Sequence, residues 1–218
     1  MSDVTAVNDV KSKVKVHSGA AWLPRAESPL HHVEVVKLTQ PSQQPTVNIE
    51  ELKGMSHLVL RGNAANADFV SGAEAVLGIG LPLVPGTSVQ NEALRVYWQS
   101  PDEWLIIGEP EQAVSIETAL REHLSGHFAV TDVSGGQTLV SLSGSNAENV
   151  LKKSTHYDVH IRHFPINKVV GTSFAKSQVQ LRRTGEQAFE LILRRSFADY
   201  LWMWLLDACQ EYGVAFRR

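Results

Sequence analysis

Three imidazoles stand at four- and three-residue steps in His156-Tyr157-Asp158-Val159-His160-Ile161-Arg162-His163. On a helix that spacing would bring them to one face, and three converging nitrogen ligands are what zinc or a similar ion takes. The neighbours argue against a helix. Asp158-Val159, Ile161 and Phe164-Pro165 read as extended chain, in which His160 and His163 project to opposite faces. The stretch therefore reads as ordinary surface histidines, and the pair His31-His32 is a weaker candidate still. Ser134, in Asp132-Val133-Ser134-Gly135-Gly136, carries the hydroxyl that acyl transfer uses, but a nucleophile elbow needs glycine two residues earlier, where Asp132 stands. A tight turn between strands is expected there instead. Cys209 lies in an apolar helical stretch and reads as buried and inert. The acid pairs Glu50-Glu51 and Asp102-Glu103 fall in turns or loops and read as solvated charge. Gly78, Gly80 and Gly86 are followed by no Gly-Lys-Ser/Thr, and no dinucleotide fingerprint opens a helix after a strand. These patterns assign no catalytic, cofactor-binding or metal-binding residue.

Composition narrows the classes further. With 218 residues, 43% of them apolar, the chain can bury a sizeable core as one large domain or two small ones. A formal net charge of −3 gives no general attraction to nucleic acid or an anionic membrane. The arginine pairs Arg182-Arg183, Arg194-Arg195 and Arg217-Arg218 read as solvated faces or partner contacts. One cysteine excludes an intrachain disulfide and suits a reducing cytoplasm. Met1 to Lys15 is polar, unlike the apolar core of a secretory signal, and no apolar run reaches membrane-spanning length.

The elements that must position any site are written twice. Val84-Pro85-Gly86-Thr87-Ser88 returns 85 residues later as Val169-Val170-Gly171-Thr172-Ser173. Leu58-Val59-Leu60-Arg61-Gly62 is matched by Val140-Ser141-Leu142-Ser143-Gly144, and Trp104-Leu105-Ile106-Ile107 by Phe189-Glu190-Leu191-Ile192-Leu193. The pattern of the first half (about 56–127) is a strand at 57–61, an Ala-rich helix ending near Leu77, strands at 94–99 and 104–107, and a helix over 111–124. The second half (about 128–218) gives strands at 128–133 and 138–142, a short helix at 146–153, strands at 174–183 and 188–194, and a helix over 197–212. Two similar strand-helix-strand-strand-helix halves make one α+β domain over 49–218 with largely antiparallel sheets. A duplicated fold often places a site at the seam between its halves, where concave surfaces form.

Residues 1–48, with Pro24, Pro29, Pro41 and Pro45, read as an extended arm containing one short strand, 33–38. Trp22 and Leu23 leave two readings open, a tail or an arm lying on another subunit. The run Tyr200-Leu201-Trp202-Met203-Trp204-Leu205-Leu206 is apolar around the whole helix, so it is either fully covered within the chain or packed against a partner.

Two longer stretches carry a family resemblance. Thr131 to Gln137, running on through Asn149-Val150-Leu151-Lys152-Lys153 to His160, resembles the gamma subunit of heterotetrameric sarcosine oxidase. Ser100-Pro101-Asp102-Glu103-Trp104-Leu105 and Ala188 to Trp202 do the same, and Arg195-Ser196-Phe197-Ala198-Asp199-Tyr200-Leu201-Trp202 is the most specific match. The resemblance covers about residues 56–212 and implies an aminomethyltransferase folate-binding-domain-like fold with a pseudo-two-fold. It implies a place in a cytoplasmic complex that oxidatively demethylates sarcosine to glycine, forming hydrogen peroxide and 5,10-methylenetetrahydrofolate. FAD, FMN, NAD, tetrahydrofolate and zinc would be held by other subunits and none by this chain. Alpha, beta and delta subunits are the implied partners, met by the N-terminal arm and the helix around Trp202 and Trp204, which would leave that helix uncovered in the isolated chain. Aminomethyltransferases place a carboxylate near the folate, whereas Ser173 to Leu181 has no acid, and where the gamma family is expected to carry cysteine this chain has Thr155. A free-standing folate-dependent aminomethyltransferase-like protein is the alternative.

Overall fold

The computed structural model describes residues 27–33 and 44–216. Most of the expected arm, including Trp22, Leu23 and nearly all of the strand expected over 33–38, lies outside the described residues, as does the pair Arg217-Arg218.

Strand β1 (Val47–Leu52) leads into the first half, which opens with β2 (Ser56–Arg61), then α1 (Ala67–Leu77). The Asn66 side chain caps α1 by accepting from the Asp68 and Phe69 backbone N–H groups, and Gly78 ends it in the left-handed region at φ 64°. Strands β3 (Ser88–Gln90), β4 (Leu94–Ser100) and β5 (Glu103–Gly108) follow, and α2 (Ala113–His123) closes the half. The second half runs β6 (Ala129–Asp132), β7 (Gln137–Ser143), α3 (Ala147–Ser154), β8 (Val169–Phe174), β9 (Ser177–Gly185), β10 (Ala188–Arg194), α4 (Ala198–Cys209) and β11 (Val214–Phe216). The strand expected over 174–183 is β9 with the turn before it, and β8 has no counterpart among the expected strands: the chain reverses at Ala175, held at φ 52°, so β8 and β9 form a hairpin.

Five strands pair in the order β3-β4-β5-β2-β6 and six in the order β11-β1-β7-β10-β9-β8. All neighbours are antiparallel except β1 and β11. Strand β1 precedes the first half yet pairs with β7, and β6 precedes β7 yet pairs with β2. Each sheet thus takes a strand from the segment leading into the opposite half, so the halves cannot part without breaking ladders.

Alternation along the strands sets the layers. Leu58, Leu60, Trp104 and Ile106 pack with Phe69, Leu77 and Leu120 of α1 and α2. Val140, Leu142, Leu191 and Leu193 pack with Val150, Leu151, Leu201 and Leu205 of α3 and α4. The intervening positions Tyr97, Leu105 and Ile107 of one sheet meet Leu139, Val169 and Ile192 of the other. The order is helices, sheet, sheet, helices, and both faces of each sheet are covered.

The duplication holds, but its most legible letters are out of register. Tyr97 pairs with Ser88 and Leu105, while Arg182 pairs with Val169 and Glu190, so Tyr97 and Arg182 hold the same place in the two halves. Ser88 therefore corresponds to Val169, and Gly86 to Asn167; these last two share φ 69°. The Val-x-Gly-Thr-Ser match instead sets Gly86 against Gly171, a residue inside β8. Asparagine is among the few residues other than glycine that enter the left-handed region readily, which is how one turn is kept with different letters.

Candidate functional site at the seam of the two sheets

The seam is closed at its centre by a buried ionic network. Arg182 is 0% exposed. Its Nε donates to Ser88 Oγ at 2.8 Å, Nη1 to Glu190 Oε2 at 3.0 Å, and Nη2 to Gln90 Oε1 at 2.7 Å and Asn167 Oδ1 at 2.8 Å. Glu190 also accepts from the Tyr97 hydroxyl at 2.6 Å and pairs with Arg95 Nε at 3.1 Å. Burial, then the Glu190 charge, push the Tyr97 hydroxyl well above its ordinary range, so it stays a donor. Beside the network the Gln99 and Gln180 amides exchange two hydrogen bonds, at 2.8 and 2.6 Å. Every donor of this set that points across the seam meets an acceptor from the other half, the condition under which buried charge is tolerated.

Arg183, next in the strand, points to the opposite face and is also 0% exposed. Its Nη2 donates to Glu148 Oε2 at 3.0 Å and to the Val159 carbonyl at 2.5 Å, and Nη1 reaches the Glu186 carbonyl. The guanidinium lies 4.5 Å from the Phe189 ring centroid. The reading of Arg182-Arg183 as a solvated face or partner contact is therefore wrong. Adjacent strand residues face opposite ways, and here both faces are covered, so the two arginines are buried in different layers.

At one end the seam opens into a cavity of about 540 Å³ between the β1–β2 turn, the turn before β7 and the loop at 27–31. His57 of β2 lines it and is 1% exposed. Its Nδ1 lies 3.0 Å from the Met55 carbonyl, which can only accept, so Nδ1 carries the proton. Burial lowers the imidazole to about 4, and the ring is neutral. Its Nε2 is then a bare acceptor, buried and without a hydrogen-bond partner among the described residues, as is Oε1 of Gln137, another lining residue. Ser134 also lines the cavity, in a short 3-10 turn over Ser134–Gly136. Its Oγ accepts from the His57 backbone N–H at 2.9 Å and lies 2.5 Å from Asp132 Oδ1. The serine hydroxyl is thus used to tie the turn to β2.

The other candidates do not converge. His156, His160 and His163 are all exposed, and no group of three metal-binding side chains exists among the described residues. The backbone around them is a turn rather than extended chain: the N–H groups of His163 and Phe164 both donate to the His160 carbonyl at 2.9 Å. His32 instead meets Asp199 at 2.9 Å. Cys209 is buried, and desolvation pushes its thiol up to about 12, which keeps it protonated and inert. Asp102 is bound by Ser100 and Arg61, and both bonds hold its carboxyl below the ordinary range, Ser100 first. Glu51 does not act as solvated charge: it lies in β1 and accepts from Ser28 at 2.5 Å and Thr138 at 2.8 Å, pinning the 27–31 loop to the sheet.

Residues 61–211 match the model of the sarcosine oxidase, gamma subunit family. The chain belongs to that family. It is 34% identical over 189 residues to the sarcosine oxidase subunit gamma of Corynebacterium sp. strain P-1, covering 85% of this chain and 91% of that one. The Arthrobacter sp. counterpart is 33% identical over 188 residues, covering 85% and 91%. Among solved structures, a chain of the heterotetrameric sarcosine oxidase from Corynebacterium sp. U-96, in complex with pyrrole 2-carboxylate, superposes with a TM-score of 0.77 at 29% identity, covering 88% of this chain and 98% of that one. The glycine cleavage system aminomethyltransferase T from Bartonella henselae shares the fold, with a TM-score of 0.57 at 17% identity over 96% of this chain and 58% of that one.

In this gamma-family chain the buried polar centres are His57, Tyr97, Arg182, Arg183 and Glu190; His57, Tyr97 and Glu190 did not stand out in the sequence, and the arginine pair stood out for the wrong reason. Thr155, where the family resemblance leads one to expect cysteine, is buried, with its Oγ1 2.9 Å from Thr172 Oγ1. The last helix is neither fully covered nor exposed at both tryptophans. Trp202 is 5% exposed and packs 5.7 Å from Phe216, so it belongs to the chain's own core. Trp204 is half-buried and donates to Ser154 Oγ at 3.1 Å. The uncovered face is marked by Met203, 70% exposed, and Tyr200. No described helix is long and apolar enough to cross a membrane.

Proposed function

We propose that this chain is the gamma subunit of a cytoplasmic heterotetrameric sarcosine oxidase and that its part is assembly rather than chemistry. The observation that carries this reading is the gamma-family match over 61–211 together with superposition on nearly the whole of one chain of a heterotetrameric relative. The complex would oxidise sarcosine to glycine with formation of hydrogen peroxide and pass the one-carbon unit to tetrahydrofolate, giving 5,10-methylenetetrahydrofolate. FAD, FMN, NAD, tetrahydrofolate and zinc would reside in the alpha, beta and delta subunits.

Two features of the chain favour assembly. The centre of the seam is filled by Arg182, Glu190 and Tyr97, which bind one another. The stretch Ser173 to Leu181 supplies no carboxylate for folate chemistry, which disfavours a free-standing aminomethyltransferase-like protein. Exposed apolar side chains offer contact surfaces: Met203, Tyr200 and Phe197 on and beside α4, and Leu83, Val84 and Ile166 in the loops before β3 and β8. The N-terminal arm is the other candidate contact.

Expression of an affinity-tagged chain with the three other subunits tests the reading. Co-purification of all four in equal amounts, with sarcosine oxidation in the eluate, is expected. A tagged chain that elutes alone while the others assemble would contradict it.

A further inference from the structure

We propose that the cavity at the open end of the seam is a ligand site for a small carboxylate carrying an uncharged N–H donor, the N–H meeting His57 and Gln137 and the carboxylate facing Lys53 and Arg195. Two of the lining residues carry buried acceptors that lack a partner: Nε2 of His57 and Oε1 of Gln137 are both unpaired among the described residues. An unpaired buried acceptor costs free energy that a donor on the occupant removes. The donor is uncharged because an ammonium group drawn into this end would be desolvated without a buried counter-ion among the described lining residues.

The mouth has the opposite character. Lys53 is exposed and forms no ion pair with a described residue, and Arg195 uses Nη1 on the Glu27 carbonyl at 2.7 Å. Glu27 is the acid among the described lining residues and lies 3.8 Å from His31 Nε2. Met55 and Pro29 supply apolar wall between the two ends. A volume of about 540 Å³ falls in the range of pockets that hold compact organic ligands. The loop at 27–31 is fixed over the cavity by the Ser28 bond to Glu51, which makes the enclosure part of the fold.

This site is independent of the assembly role and is tested on the full chain by itself, so a failed titration leaves that role untouched. The probe is N-benzoylglycine, which has one amide N–H and one carboxylate. N-benzoyl-N-methylglycine lacks the N–H, and N-methylbenzamide lacks the carboxylate. Titration is followed by calorimetry and by the His57 imidazole nitrogen resonances, in which Nε2 shifts when it accepts a hydrogen bond. Binding of N-benzoylglycine at about millimolar Kd or tighter is expected, weakened at least about tenfold by N-methylation or loss of the carboxylate. His57→Phe and, independently, Gln137→Leu are expected to weaken binding by a similar factor while the chain stays folded, and Lys53→Ala to reduce the preference for the carboxylate, leaving the part due to Arg195. Equal binding of the N-methylated probe, or no shift of the His57 resonances up to the solubility limit, would overturn the proposal and leave the cavity as a place for water.

Discussion

The guanidinium of Arg182 lies 5.4 Å from the centroid of the Tyr97 ring, and the two residues occupy the same place in the two halves of the duplicated fold. At the point where the pseudo-two-fold would set like against like, the chain has set a cation against a phenol and bridged both with Glu190. Two copies of one residue could not make that contact, so divergence at this position is what closes the seam.

Removing one member should expose the coupling. Arg182→Met leaves Glu190 buried with Arg95 and Tyr97 alone and is expected to cost about 3–5 kcal/mol in urea unfolding, against about 1–2 kcal/mol for Tyr97→Phe. The double variant should cost less than the sum of the two, because both changes strip the same carboxylate. Strict additivity would mean that the contacts act independently.

His57 gives the stability a pH dependence of known sign. The folded ring titrates at about 4 and the unfolded one near 6.5, so between these values the unfolded chain binds more protons and stability falls as pH is lowered. The loss approaches about 3 kcal/mol by pH 4 and is absent above pH 7. Unfolding curves of the wild-type chain and His57→Phe should therefore diverge in slope between pH 4 and 6.5, and parallel curves would contradict a buried neutral ring.

Gly144 sits at φ 117°, and a Cβ there would stand 2.2 Å from the Thr46 carbonyl oxygen, on the segment leading into β1. Backbone must shift to admit it, and β1 is the strand that the second sheet borrows. Gly144→Ala is expected to destabilise by about 3 kcal/mol or more and to raise hydrogen exchange in β1 and β11 before other strands. Uniform exchange would contradict that local route.

Much of this fold can be read from the letters, where periodicity decides. Strands β2, β5, β7 and β10 and helices α1, α2 and α3 fall where apolar periodicity and, for the end of α1, Gly78 put them. Other elements leave too little pattern. Strands β3 and β11 are three residues long, and β1 gives alternation no room beside the prolines before it. Arg182-Arg183 misleads because charge suggests solvent, and only the second covered face of the sheet explains its burial. His57 is silent in sequence because one histidine among Ser56, Leu58 and Val59 looks like any strand residue. What marks it, the unpaired Nε2 at the end of a seam, exists only once β2 and the turn before β7 are brought together. The repeat of Val-x-Gly-Thr-Ser is the reverse case, a clear signal whose register the fold does not follow.

The exposed face of α4 separates assembly from folding. Met203→Glu is expected to leave the melting temperature of the isolated chain within about 2 °C of wild type, since an exposed residue contributes little, yet to cut co-purification of the other subunits at least about tenfold. Trp202→Ala should do the opposite first, lowering stability by about 3–5 kcal/mol through a cavity in the core.

The most direct measurement is the mass, by light scattering, of what the alpha, beta and delta subunits form with and without this chain, alongside the sarcosine-dependent release of hydrogen peroxide by each sample. An assembly role predicts a full heterotetramer only when the chain is present, and no turnover by the chain alone. A complete, active complex formed without it, or sarcosine oxidation by the isolated chain, would contradict that role.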